Sequence, residues 1–183
     1  MKVLFLGTSD FSATVLENLY NSKKHEIVGV VTKLDKPTGR GQKLISPAVK
    51  VFAQEHNIPC FQFKSISNEG YDVLSGLDAD VMVTAAFGQI LKQNIIGMTK
   101  YGVINVHASL LPKYRGSSPI QWAIIKGEKK SGVTIMQTDI GKNLGNRDHT
   151  TILHGRNKIE KELVTDESLQ NTIEVLIKKI NPQ

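Results

Sequence analysis

Hydrophobic residues fall in short blocks separated by polar turns, and the blocks alternate between two periods. Lys2-Val3-Leu4-Phe5-Leu6-Gly7 is a nearly continuous apolar run, as a strand buried on both faces requires. Ser9 or Asp10 can cap a following helix, whose apolar positions Phe11, Val15, Leu16 and Leu19 recur at helical spacing. Glu26 to Thr32 returns to a strand pattern. Strand, helix, strand in this rhythm implies a parallel pair joined by a right-handed crossover. Further along, Pro47 to His56 reads as a helix, Cys60-Phe61-Gln62 as a short strand, Gly70 to Leu77 as a helix and Asp80 to Thr84 as a buried strand. Val103 to His107 is another strand, Ser118 to Ile125 a helix and Gly132 to Gln137 a last strand. The architecture expected is α/β, a parallel sheet with helices on both faces and its site at the carboxyl ends of the strands.

Residues 33–50 break this alternation. Pro37, Gly39 and Gly41 predict a surface loop. It carries Lys33, Lys36, Arg40, Lys43 and Lys50 against the single acid Asp35. Such a run is either a solvated face or a set of flexible cations for phosphates, whose binding would weaken with salt.

The chemistry concentrates in residues 102–124. Asn105 and His107 are two apart in a strand, so both side chains project from one face. An amide can donate to a developing oxyanion and an imidazole can move a proton, the two needs of acyl transfer. The alternative is a buried polar pair that holds a loop. Phe87, after the strand ending at Thr84, reads as plain core. Gly7-Thr8-Ser9 is not a dinucleotide fingerprint, because the spaced second and third glycines are absent.

Composition narrows the classes. With 183 residues, the chain has room for one domain or one domain and a small appendage. Cys60 is the single cysteine, so no internal disulfide forms and a reducing cytoplasm fits. No apolar run reaches membrane-spanning length, and the brief one at Met1–Gly7 is too short for a signal peptide. The net charge of +6 permits a nucleic-acid partner without demanding one.

Asn105-Val106-His107-Ala108-Ser109-Leu110-Leu111-Pro112, then Tyr114-Arg115-Gly116 and Pro119-Ile120-Gln121-Trp122, resemble the signature of the folate-dependent formyltransferases, most closely the methionyl-tRNA formyltransferase family. Gly7-Thr8-Ser9-Asp10-Phe11 is similar to that family's opening Gly-Thr-Pro-Asp-Phe, with Ser9 in the proline's place. The likeness runs from Met1 to about Gly141. It implies a Rossmann-like catalytic domain over 1–141 that transfers formyl from 10-formyltetrahydrofolate to the amino group of initiator methionyl-tRNA. It also implies that Asn105 stabilises the oxyanion and His107 handles the proton. Phe87, Gly88, Ser109, Leu110, Leu111 and Pro112 would shape the folate site, while Lys36, Arg40 and Lys43 would meet tRNA. No metal is implied.

Beyond Thr138-Asp139-Ile140-Gly141 the family's Leu-Asp-Thr-Gly-Asp is replaced by Lys142-Asn143-Leu144-Gly145-Asn146. The family's third catalytic residue, an aspartate, falls on Asn143. An amide supplies no charge to steady an imidazolium. From Leu144 the text resembles instead the DNA-binding domain of the DnaA replication-initiator family. Arg147, Asp148, His149, Thr150, Thr151 and Lys158 fall on its DNA-contacting positions, which implies double-stranded DNA as a partner. Asp148 can cap a helix running through Leu163. Thr165 can cap a last one with the stripe Leu169, Ile173, Leu176, Ile177 and Ile180. These two helices over 142–183 would be part of a helix-turn-helix lacking its scaffold. His149 and His154 diverge around the helix, so no metal pair is expected. Three readings follow: a formyltransferase domain, a DNA-binding module, or a fusion of two fragments with neither activity.

Overall fold

The computed structural model describes residues 1–38 and 43–138. The chain runs β1 (Lys2–Gly7), α1 (Asp10–Asn21), β2 (Glu26–Thr32), β3 (Lys36–Thr38), β4 (Lys43–Ile45), α2 (Ala48–Glu55) and β5 (Cys60–Gln62). A π-helical turn at Ile66–Gly70 leads directly into α3 (Tyr71–Ser75). Then come β6 (Val81–Ala85), α4 (Gln93–Ile96), β7 (Val103–His107), α5 (Pro119–Ile125) and β8 (Thr134–Thr138).

Among the described residues six strands form one sheet in the order β5-β2-β1-β6-β7-β8. The first five pair in parallel. The unbroken apolar run of β1 belongs at the middle, because both of its faces are covered. Val3 and Phe5 enter one core with Val15, Leu16 and Leu19 of α1 and Val49 of α2. Leu4 and Leu6 enter a second core with Ile66, Leu74 and Ile95. Helices therefore lie on both faces, as the alternation of the sequence predicts. Among the described residues no helix is long and apolar enough to cross a membrane.

Three expectations change. β8 runs antiparallel to β7, with His107 opposite Thr134 and Val103 opposite Thr138. A parallel strand would need a crossover back to the amino edge of the sheet. The seven residues of α5 span only about 10 Å, and the chain re-enters the sheet from the carboxyl edge. Residues 33–50 are not a plain loop. β3 and β4 form an antiparallel hairpin, Lys36 opposite Ile45 and Pro37 opposite Leu44. Proline tolerates this position because a two-stranded ribbon is all edge. Finally, the helix expected to start at Gly70 begins earlier, as the π-turn that buries Ile66.

The entry to α1 is held by short contacts. Ser9 caps it in a reciprocal box with Ser12, and the buried Ser12 hydroxyl donates to the Ala85 carbonyl at 2.6 Å. That bond ties the start of α1 to the end of β6. Gly7 makes the approach possible. A Cβ there would lie 2.6 Å from Cβ of Ser12 and 2.7 Å from the Phe5 ring. Gly7→Ala is expected to cost about 1–3 kcal/mol by overpacking. The loss would show as a lower urea midpoint with an unchanged slope; an unchanged midpoint would contradict this packing.

Candidate active site

Strand order reverses at β1: the chain first adds β2 on one side, then crosses to β6 on the other. Open α/β sheets bind ligands in the crevice at such a switch point, beyond the carboxyl ends of the strands. A cavity of about 610 Å³ lies there, within the range that takes a cofactor-sized molecule. Its walls come from the residues after β1 (Ser9, Asp10, Phe11), after β6 (Ala86 to Gln89, and Leu91) and from Asn105 to Ala108. Gly116, Ser117 and the first turn of α5 close one side, and Thr138 of β8 extends it along the sheet.

Asn105 and His107 both face this cavity. The register explains it. Thr84 pairs with Asn105 across β6 and β7, and Asn105 pairs with Met136 across β7 and β8. Side chains alternate, so Thr84, Asn105 and His107 share one face, and all three line the cavity. Both Asn105 and His107 are half-buried. An amide donor and an imidazole thus stand together on one wall, partly shielded from water. Asp10 is the one carboxylate among the described residues that line it.

The wall made by the loop after β6 is conformationally special. Ala86 has φ 41° and Gly88 φ 75°, both in the left-handed region. A non-glycine residue held there marks a backbone fixed by its surroundings. The Thr8 hydroxyl donates to the Phe87 carbonyl at 3.0 Å. Phe87 is 3% exposed and belongs to the second core while also lining the cavity. The core and pocket readings of this residue therefore coincide. Gly88 leaves room for the Lys33 side chain, which a Cβ would strike.

Ser109, Leu110, Leu111 and Pro112 do not line the cavity. They form the turn that leaves His107, with a cis bond between Leu111 and Pro112. Ser109 is fully buried, and its hydroxyl donates to the Lys113 carbonyl at 2.8 Å. Thr134 accepts from the Leu111 N–H at 3.1 Å and donates to the Ser109 carbonyl at 2.6 Å. The turn ends on a clamp: the Tyr114 phenol donates to Glu128 at 2.6 Å and the Lys113 ammonium donates to it at 3.0 Å. Nε2 of His107 lies 3.1 Å from the Tyr114 carbonyl oxygen.

Of the cations in 33–50, Lys50 is paired with Asp35 at 2.7 Å. Its hydrogen bond, with a second from Gln62, holds the Asp35 carboxyl below the usual range. Lys36 is exposed on β3. Lys43 is described here only by its backbone, opposite Thr38. Arg40, Asn143, Arg147, Asp148, His149, Thr150, Thr151 and Lys158 lie outside the described residues, as do both predicted C-terminal helices. Among the described residues no cluster suits a metal. Sequence reasoning missed the contributions of Ser9 to Phe11 and the first turn of α5. The rule that strand ends line the crevice would have found the first.

The family model described as "Formyl transferase" matches residues 1–173. The methionyl-tRNA formyltransferases of Kosmotoga olearia and Alkaliphilus oremlandii are each 49% identical over 146 residues, covering 79% of this chain and 47% of theirs. The chain spans about half the length of the curated relatives it matches. Among solved structures, a phosphoribosylglycinamide formyltransferase from Bacillus halodurans is similar in fold, at 22% identity and a TM-score of 0.62. The match covers 100% of this chain and 96% of that one. A formyltetrahydrofolate deformylase from Pseudomonas syringae gives 18% and 0.60, covering 98% and 61%. At these identities the likeness is one of fold: α/β with a mostly parallel sheet.

The clamp has a pH window. The Tyr114 phenol and then the Lys113 ammonium hold the Glu128 carboxyl below its ordinary 4.5. Its contribution is complete above that value and is lost as pH falls through the lower folded one. The hydrogen bond to Glu128 raises the Tyr114 phenol above 10.0. That contribution is complete below 10.0 and is lost as pH rises through the folded value. The Glu128 carboxyl carbon signal in NMR is expected to titrate with its midpoint below pH 4.5. A midpoint at or above 4.5 would contradict the clamp.

Proposed function

As the chain belongs to the formyl transferase family, we propose that its cavity is a formyl-transfer site of the methionyl-tRNA formyltransferase type. The supporting observation is that Asn105 and His107 stand on one wall of a cofactor-sized cavity at the switch point of the sheet. The donor is 10-formyltetrahydrofolate, and the acceptor is the amino group of methionyl-tRNA, the substrate for which the relatives are named. The acceptor nitrogen attacks the formyl carbon. The carbonyl electrons move to oxygen, where the Asn105 amide donates a hydrogen bond. His107 removes the proton from the attacking nitrogen and returns one to N10 as the bond from N10 to the formyl carbon breaks. Phe87 and Gly88 form the wall against the donor, and Ser109 to Pro112 shape the turn that carries His107. Lys36, Arg40 and Lys43 meet tRNA phosphates, so binding weakens with salt.

The test is formyl transfer from 10-formyltetrahydrofolate to methionyl-tRNA by the purified chain. His107→Ala and Asn105→Ala are each expected to lower the rate by roughly 10²-fold or more. Asn143→Asp, which restores the charge of the family acid, is expected to raise it. Transfer that survives His107→Ala at full rate would end this reading.

A second reading concerns residues 142–183 and rests on the run Leu144 to His154 and Lys158. Arg147, Asp148, His149, Thr150, Thr151 and Lys158 would contact duplex DNA, as in the replication-initiator family. It calls for binding to an initiator-box duplex that weakens steeply with salt and drops on Thr151→Ala. Equal affinity for scrambled duplex would reject it.

A further inference from the structure

The turn after β7 does more than connect. A backbone carbonyl has no proton to give, so the contact between Nε2 of His107 and the Tyr114 oxygen at 3.1 Å requires the proton to sit on Nε2. In the neutral ring the lone pair then belongs to Nδ1. The position of the Tyr114 carbonyl therefore decides which nitrogen accepts a proton.

That carbonyl is held from outside the cavity. Tyr114 has φ 53°, a left-handed conformation that a bulky residue keeps only when its neighbours dictate it. Its phenol donates to Glu128 at 2.6 Å, beside the Lys113 ammonium at 3.0 Å. Glu128 is itself aimed by the end of α5. The Gly127 N–H bonds to the Ile124 carbonyl and the Glu128 N–H to the Ala123 carbonyl, both at 3.0 Å. Gly127 sits at φ 63°. This is the Schellman closure, in which glycine takes the left-handed position and the next residue turns back over the helix. On the inner side, the buried Ser109 hydroxyl donates to the Lys113 carbonyl.

We propose that Tyr114 and Glu128 are positioning residues that fix His107 as the Nε2–H tautomer, so that Nδ1 is its proton-accepting atom. Neither lines the described cavity. They act on the ring through one carbonyl, from the far side of the turn. The catalytic meaning of this rests on the reading of His107 as the proton-handling group, but the tautomer itself does not.

Nitrogen-detected NMR of the full chain with 15N-labelled histidine tests this without any turnover. The His107 ring signals are assigned by their loss in His107→Gln. In the wild type, Nε2 is expected to carry a slowly exchanging proton and Nδ1 none. Tyr114→Phe and Glu128→Ala are expected to speed exchange of that proton roughly tenfold or more, as loss of a charge-assisted hydrogen bond implies. Glu128→Gln, which keeps an acceptor for the phenol, is expected to retain slow exchange. A wild-type proton on Nδ1, or unchanged exchange in both disrupting variants with native amide spectra, would overturn the proposal. Absent formyl transfer with the tautomer as expected would count against the proposed function alone.

Discussion

The parallel pairing of β6 with β7 sets where everything else can be. Thr84 stands opposite Asn105 and Ala85 opposite Val106. A slip of one residue would send Asn105 and His107 to the other face of the sheet, into the core shared by Phe5, Val83 and Ile104. Two polar groups there would lose water without gaining partners. The register is held by what lies on either side. Val83, Ile104 and Val106 fill one core, Met82 and Val103 the other. Hydrophobic packing on both faces thus fixes the direction of the two side chains that the proposed chemistry needs.

The crevice then forms because β1 and β6 are neighbours although the chain visits β2 between them. The loop leaving β1 and the loop leaving β6 part at the switch point. Their separation is fixed by the bond from the Ser12 hydroxyl to the Ala85 carbonyl and by that from Thr8 to the Phe87 carbonyl. The left-handed residues Ala86 and Gly88 sit on this wall. Conformational cost concentrates where the backbone must face a ligand, and the buried strands beside it stabilise the arrangement.

Much of this was legible in the residues. The bounds of β1, β2, β5 and β7 follow directly from apolar runs, and Ser9 was readable as a cap. The shared face of Asn105 and His107 followed from their spacing of two. What was not legible depends on contacts distant in sequence. The direction of β8 is decided by where α5 lies, which periodicity does not report. The pairing of Lys36–Thr38 with Lys43–Ile45 was hidden, since Pro37 and two nearby glycines argue for a loop by local rules. The pairing of Lys50 with Asp35, 15 residues apart, removes one cation from a run that composition counts as uniform. The role of Glu128 was invisible, because it depends on the Schellman turn at Gly127 and on Tyr114 14 residues earlier.

The claim that most else depends on is that the crevice at the switch point receives a reduced formyl-folate beside Asn105 and His107. Its most direct measurement is an NMR titration of the labelled chain with 5-formyltetrahydrofolate, an isomer of the donor whose formyl group is not on N10. Saturable shifts at Phe87, Gly88, Asn105 and His107, with the β3–β4 hairpin and α2 unmoved, are the expected result. No shift at these four residues, or shifts confined to the hairpin, would contradict it.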